Sequence, residues 1–164
     1  MVFDEKNTLS PLLIALWLML ACGLYISSIP FLGNIRIDAV ALLIIFLGLY
    51  RPASLSLNLA FFAGLMQDLV ALAPLGQHAL GLTVVAFILH YLHDEARLLN
   101  RVMQWVLVLG CLILLKFLSS WITALSLGIL PGLAAYGSAL VTSLLWPLLL
   151  ALALRQPRVR RPAS

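Results

Sequence analysis

The sequence consists of long apolar segments that are separated by short polar or turn-forming stretches. A helix needs about 20 apolar residues to cross the hydrocarbon core of a bilayer, and roughly 17 are sufficient. Six segments approach or exceed this length, at residues 11–31, 35–50, 54–73, 76–93, 102–128 and 133–154. The pattern therefore predicts a polytopic membrane protein with six transmembrane helices.

The composition supports lipid rather than water as the solvent of this chain. Of its 164 residues, 63% are hydrophobic and 10% are charged, whereas soluble chains are about half apolar and about a quarter charged. In lipid, backbone polar groups find hydrogen-bond partners only within helices and closed barrels. These segments lack the alternating polarity of barrel strands. We expect an all-α fold, with one six-helix bundle over residues 1–154 and a disordered basic tail over 155–164.

The first two segments need separate interpretation. The run over residues 12–26 is at the long limit for a signal peptide, and no A-x-A cleavage site follows it. Ser10 suits a helix N-cap and Pro11 the first helical position, so we interpret this segment as a retained span. The segment at 35–50 is short, which predicts a position partly in the interface or deep within the bundle.

Basic residues in short loops predict the orientation, because cytoplasmic loops carry the excess of lysine and arginine. An even number of spans places both ends of the chain on the same side. That side would hold Lys6, Arg51, Arg97, Arg101, Arg155, Arg158, Arg160 and Arg161, and the other side only Arg36. We therefore expect both termini to be cytoplasmic.

The four tail arginines, Arg155, Arg158, Arg160 and Arg161, allow two interpretations. The simpler one is attraction to anionic lipid, at about 1 kcal/mol per basic residue near the membrane surface. The more specific interpretation is contact with a cytoplasmic filament.

Two charged residues, Asp68 and Lys116, fall well inside predicted spans, where each costs at least ~2.5 kcal/mol at the bilayer centre. Asp68 shares a helix face with Gly64, and a glycine lets another helix approach closely. Ser120 and Thr123 continue the face of Lys116 and form a polar stripe toward the outer surface. The pattern predicts that Asp68 and Lys116 approach each other inside the bundle.

Three interpretations of the two deep charges stay open. The pair would be a contact that fixes the fold without binding a ligand, although a buried pair is weak evidence for stability. It would alternatively form a site for a small polar or anionic group. In the third interpretation Lys116 snorkels, and Asp68 is wetted or protonated.

Trp146 and Pro147 lie within the last predicted span. Proline removes a main-chain hydrogen bond, so the sequence predicts a kink at this point. The kink is either that of a bent packing helix or a notch that receives a partner.

The sequence contains no familiar pattern of catalytic or metal-binding residues. It has no G-x-S-x-G elbow, no H-E-x-x-H motif and no phosphate-binding loop. Cys22 and Cys111 fall inside apolar runs, and the histidines lack the spacing with carboxylates that a metal site requires. We expect no enzymatic activity, no cofactor, no metal and no nucleic-acid partner.

Short motifs along the chain share the pattern of a known family. Residues 62–69 read Phe-Ala-Gly-Leu-Met-Gln-Asp-Leu, and Pro74-Leu75-Gly76 and an apolar span follow them. This order resembles the G-x-x-x-D-L run and L-G turn of the rod shape-determining protein MreD family. Residues 35–52 are similar to the second span of that family, and residues 144–147 with the basic tail to its last. The resemblance makes Gly64, Asp68, Leu75 and Gly76 the signature positions, with Trp146 and Pro147 as a second patch.

The resemblance implies a non-catalytic role in the bacterial elongation machinery of the inner membrane. Such a protein would act with the bitopic scaffold MreC to organise peptidoglycan synthesis and cell shape. It would help link MreB filaments to RodA and its penicillin-binding transpeptidase.

The family is also similar in architecture to the substrate-binding subunits of vitamin uptake transporters, which are six-span bundles. Uptake of a small molecule is therefore the alternative function, and a generic membrane assembly subunit is a third. The transporter subunits commonly carry small residues one turn apart on the first helix. Here Ala15 is followed by Met19 and Ala21 by Tyr25, which lowers the weight of the uptake function.

Overall fold

The computed structural model describes residues 17–21, 37–128, 132 and 134–154. Within these residues the chain is helical and has no β-strand, as the composition predicts. Residues 17–21 form a short helical stretch, and a 3-10 turn at Pro52–Ser54 joins the first two longer helices. The longer helices are α1 (Ala39–Tyr50), α2 (Leu57–Ala71), α3 (Gln77–Leu98), α4 (Arg101–Leu127), α5 (Ala134–Leu144) and α6 (Trp146–Leu154).

Only one helix in the described part of the chain, α4, is both long and apolar enough to cross a membrane by its length and composition. Shorter apolar helices occur at Ala39–Tyr50, Leu57–Ala71 and Tyr136–Ala151. Most of the predicted first span, 11–31, lies outside the described residues, as does the tail at 155–164. The arrangement of six spans therefore stays a prediction.

Local sequence explains where two of the helices begin. The side chain of Ser56 accepts a hydrogen bond from the backbone of Leu59 at 3.1 Å, and that of Asn100 accepts one from Met103 at 2.8 Å. Both are N-cap arrangements that satisfy a backbone donor at a helix start. Asn100 and Ser56 thus fix the first turns of α4 and α2.

Helix α3 extends further than the sequence predicts. The predicted spans at 76–93 and 102–128 imply a polar connector at residues 93–97, but α3 continues to Leu98. Ala96 is buried in the core, and its carbonyl oxygen accepts a hydrogen bond from Nε2 of Gln104 at 3.1 Å. The prediction of a connector was wrong because the packing of Ala96 and its contact with α4 stabilise a last helical turn that looks polar in sequence.

Helix α3 is the centre of the bundle. It packs against α1, α2 and α4, and α4 packs in turn against α5. Helix α1 is apolar on all sides, and most of its residues are buried, as expected for a helix that is surrounded by other elements. The short second segment of the sequence therefore packs deep within the bundle.

The predicted kink in the last segment is confirmed. Helix α5 ends at Leu144 and α6 begins at Trp146, with a turn at Leu145 between them. Pro147 has no N–H to donate to the carbonyl of Ser143 four residues earlier. That carbonyl accepts a hydrogen bond from Nε1 of Trp105 in α4 instead, at 3.1 Å. The break in the helix is thus tied to a neighbouring helix.

Candidate functional site

Asp68 is the cap of the next helix rather than the partner of Lys116. Its carboxylate accepts hydrogen bonds from the backbone N–H of Gly76 at 2.9 Å, of His78 at 2.8 Å and of Ala79 at 3.4 Å. The ring Nδ1 of His78 lies 2.8 Å from the same carboxylate. Asp68 is fully buried, so these contacts satisfy its charge in place of water.

Gly76 gives the turn the shape that Asp68 requires. Its φ angle is +97°, in the left-handed region that a residue with a Cβ adopts at a cost. This conformation directs the N–H of Gly76 toward Asp68 as α3 begins. The preceding residue, Leu75, is largely exposed and takes no part in the cap.

Gly64 allows α2 and α3 to touch through their backbones. A Cβ placed on Gly64 would lie 2.3 Å from Cα of Ala79 and 2.6 Å from its backbone nitrogen. No side-chain movement relieves such a contact, because the opposing atoms belong to the main chain. The close approach predicted at Gly64 is therefore confirmed, and it lies one helical turn before Asp68.

Lys116 pairs with Asp38 at the start of α1. The Lys116 Nζ atom lies 2.5 Å from Oδ2 of Asp38, whose side chain is fully buried. The prediction that Lys116 pairs with Asp68 was wrong, because the carboxylate of Asp68 is already occupied by the start of α3. Asp38 is the carboxylate that the packing of α1 against α4 brings to the lysine.

Asp38 connects four helices. It precedes α1, contacts Lys116 of α4, and accepts a 3.4 Å hydrogen bond from Nε2 of Gln67 in α2. Its backbone N–H donates to Oγ1 of Thr142 in α5 at 3.2 Å. Because Gln67 and Asp68 are adjacent in α2, the two carboxylate clusters form one buried polar layer, which we call the polar layer.

The predicted polar stripe on α4 also reaches the polar layer. Thr123 donates to Oε1 of Gln77 at 3.1 Å, and Ser119 donates to the carbonyl of Gln77 at 3.4 Å. Ser120 is half-buried. Thr123 and Ser119 therefore face the start of α3.

Among the members of the polar layer, sequence reasoning missed Asp38 and Thr142, and it weighed Gln67 and His78 only as sources of interfacial or interhelical hydrogen bonds. Asp38 directly precedes an apolar run, so in the sequence it has the character of a residue at a membrane boundary. The signal available in the sequence was a carboxylate directly before an apolar segment that contains no charged residue. Gln67 and His78 flank the signature positions, whereas nothing in the local sequence distinguishes Thr142.

The second predicted patch lies at the other end of α1. Trp146 is buried and its ring is 6.4 Å from that of Tyr50, which donates to Oε1 of Gln104 at 3.0 Å. Pro147 is exposed. A cleft of about 480 Å³ opens here between α4 and α6, and we call it the α4–α6 cleft. Arg155, Arg158, Arg160 and Arg161 lie outside the described residues.

The chemistry of the polar layer is that of a fixed structural network. The oxygens of Asp68 are occupied by three backbone donors and a ring nitrogen, and Asp38 is held by Lys116 and Gln67. Within the described residues no group of three or more His, Cys, Asp or Glu side chains is placed to hold a metal ion. The arrangement positions helices relative to one another.

Replacing Asp68 with alanine is expected to destabilise the protein by about 3 kcal/mol or more, because a hydrogen bond to a charged group contributes ~1.5–3 kcal/mol. In mild detergent this corresponds to a melting temperature lower by about 6–12 °C. Asp94→Ala is the matched control, because its carboxylate is exposed and contacts only His93 in the described structure, at 3.2 Å. If Asp94→Ala lowers the melting temperature as much as Asp68→Ala does, the capping role of Asp68 is contradicted.

Comparison with known proteins gives one match. A family model described as rod shape-determining protein MreD matches residues 6–155. No curated protein and no solved structure matches the chain. The expected likeness to the subunits of vitamin uptake transporters therefore stays a prediction.

Proposed function

The chain belongs to the MreD family, and from this premise we propose that it is a non-catalytic subunit of the bacterial cell-elongation complex. Membership of the family supports a role in rod shape determination. The match covers 6–155, which includes both the polar layer and the α4–α6 cleft, and it is the observation that carries the proposal. It also makes the uptake of a vitamin-like molecule the less favoured function.

The geometry of the signature residues supports a scaffold rather than an enzyme. Gly64, Asp68 and Gly76 together join α2 to α3, through a backbone contact, a cap and a turn. Each residue has a packing role that accounts for its type. A rigid helical pair of this kind presents a constant surface to other subunits.

We place the protein in the inner membrane with six spans and both termini in the cytoplasm. The exposed surface supports this placement, because α2 presents Phe62, Met66 and Leu69 outward, each more than half exposed. Soluble monomers rarely expose contiguous apolar patches of this kind. The basic tail at 155–164 would then lie at the cytoplasmic surface, close to anionic lipid or to a filament.

The proposed partners are MreC, RodA with its penicillin-binding transpeptidase, and MreB filaments. In this proposal the protein organises peptidoglycan synthesis together with MreC. Largely exposed residues such as Leu75, at the turn before α3, are available for contacts with other membrane subunits.

Depletion of the protein in its native rod-shaped cells tests this function. We expect depleted cells to widen and become round, and a plasmid copy to restore the rod shape. Purification in a gentle detergent should recover MreC and the cell-wall polymerase by mass spectrometry. Recovery of an ATPase pair with a coupling subunit, together with unchanged cell shape, would contradict the proposal and favour uptake.

A reporter fusion after residue 154 tests the orientation separately. A fluorescent protein that folds only in the cytoplasm is expected to be bright at this position. An alkaline phosphatase fusion at the same point is expected to be inactive. The reverse result would overturn the cytoplasmic placement of the C-terminus without bearing on the family.

A further inference from the structure

The α4–α6 cleft has the chemical character of a lipid site. Arg101 and Val102 at the start of α4 and Leu150 and Ala151 of α6 line it, and so do Trp105 and Trp146. Most of these side chains are apolar, and Arg101 is an exposed cation at the first residue of α4. A cation beside an apolar wall matches a molecule that has an anionic head and a hydrocarbon tail.

Trp146 supplies a second polar group. Its side chain is 1% exposed, and among the residues the structure describes its Nε1 has no hydrogen-bond acceptor. A buried donor without a partner costs free energy. The neighbouring indole, that of Trp105, differs in this respect because it donates to the carbonyl of Ser143. An occupant of the cleft that brings an acceptor oxygen would satisfy this donor once the indole of Trp146 turns toward it.

The size of the cleft limits how much of an occupant it can enclose. One turn of a helix 10 Å wide and 5.4 Å high already occupies roughly 400 Å³, so a cleft of about 480 Å³ encloses no whole protein helix, and it encloses only the head region and part of one acyl chain of a lipid. This volume is within the ~300–1,000 Å³ range of small-molecule sites. In the proposed topology, on which this inference rests, α4 begins at the cytoplasmic side, where the leaflet is anionic.

We propose that the α4–α6 cleft binds one anionic phospholipid of the inner leaflet. The phosphate lies at Arg101, and an ester oxygen accepts from Nε1 of Trp146. An acyl chain packs along Val102 and Leu150. The bound lipid fills the gap in the protein surface beside the break between α5 and α6.

Native mass spectrometry of the full chain, released from micelles that contain phosphatidylglycerol and phosphatidylethanolamine, tests the site. We expect one phosphatidylglycerol molecule to remain bound per protein. Ala151→Trp fills the cleft and is expected to reduce this retention about tenfold or more. Leu148→Trp is its matched control, because Leu148 is exposed on the same helix and does not line the cleft. Equal retention in these two variants would overturn the proposal.

Arg101→Gln provides a second test that does not depend on a bulky residue being tolerated. We expect it to lower the retention of phosphatidylglycerol about tenfold and to leave that of phosphatidylethanolamine unchanged. Arg158→Gln in the tail makes the same change of charge. Equal losses in the two variants would show diffuse attraction and overturn a specific site.

A photo-reactive residue at position 151, introduced into the protein in cells, distinguishes the remaining occupants. A cross-link to lipid is the expected result. A cross-link to another polypeptide or to the tail of this chain would overturn the lipid site. None of these outcomes bears on cell shape, so failure of this proposal is separable from failure of the proposed function.

Discussion

Replacing Gly64 with alanine is expected to lower the stability of the protein by about 3 kcal/mol or more, at or above the upper end of the usual cost of overpacking. The new Cβ would meet the backbone of Ala79 at 2.3 Å. Relief requires α2 and α3 to separate, which would also pull Asp68 away from the start of α3. Heating in mild detergent followed by size-exclusion chromatography should show a melting temperature lower by about 6–12 °C.

Gly110→Ala is the matched control for this prediction. Gly110 lies within α4, and a Cβ at this position meets no described heavy atom within 4 Å. Alanine favours a helix over glycine by about 1 kcal/mol, so the control is expected to be neutral or slightly stabilising. A loss of stability in Gly64→Ala that is absent from Gly110→Ala would assign the loss to the contact between α2 and α3. A neutral Gly64→Ala variant would contradict the close approach.

Replacing Lys116 with methionine is expected to destabilise the protein by about 3–5 kcal/mol, because it leaves a buried carboxylate without its partner. The side chain of Asp38 is fully buried and lies 2.5 Å from Nζ of Lys116. Methionine retains most of the length of lysine, so the change removes the charge rather than the packing. The same thermal assay, together with the amount of protein in the membrane, measures the effect.

The double variant Lys116→Met with Asp38→Asn is expected to recover a large part of that loss. Asparagine is close in size to aspartate and carries no unpaired charge. Lys116→Met combined with Asp68→Asn serves as the control and is expected to show no such recovery, because Asp68 has other partners. Recovery in the second double variant instead of the first would contradict the pairing found in the structure.

The positions that could be predicted from sequence are those at which backbone rules act over short distances. Gly64 has to be small if another helix is to come close, and Pro147 has to interrupt a helix wherever it lies in one. The cap at Asp68 is also local, since its donors follow it within eleven residues. The sequence nonetheless predicted Lys116 as the partner of Asp68, because two opposite charges in an apolar chain imply a pair before any packing is known.

The sequence by itself determined a helical, lipid-compatible chain, the kink at Pro147, the close approach at Gly64 and the family resemblance. Only the tertiary structure decided that Asp38 is the partner of Lys116, that Thr142 and Gln67 join it, and that α3 continues to Leu98. The physical reason is that an ion pair depends on which helices are neighbours and on how each is rotated and shifted along its axis. Apolar segments that are hydrophobic on every side, as α1 is, carry almost no local information about those quantities.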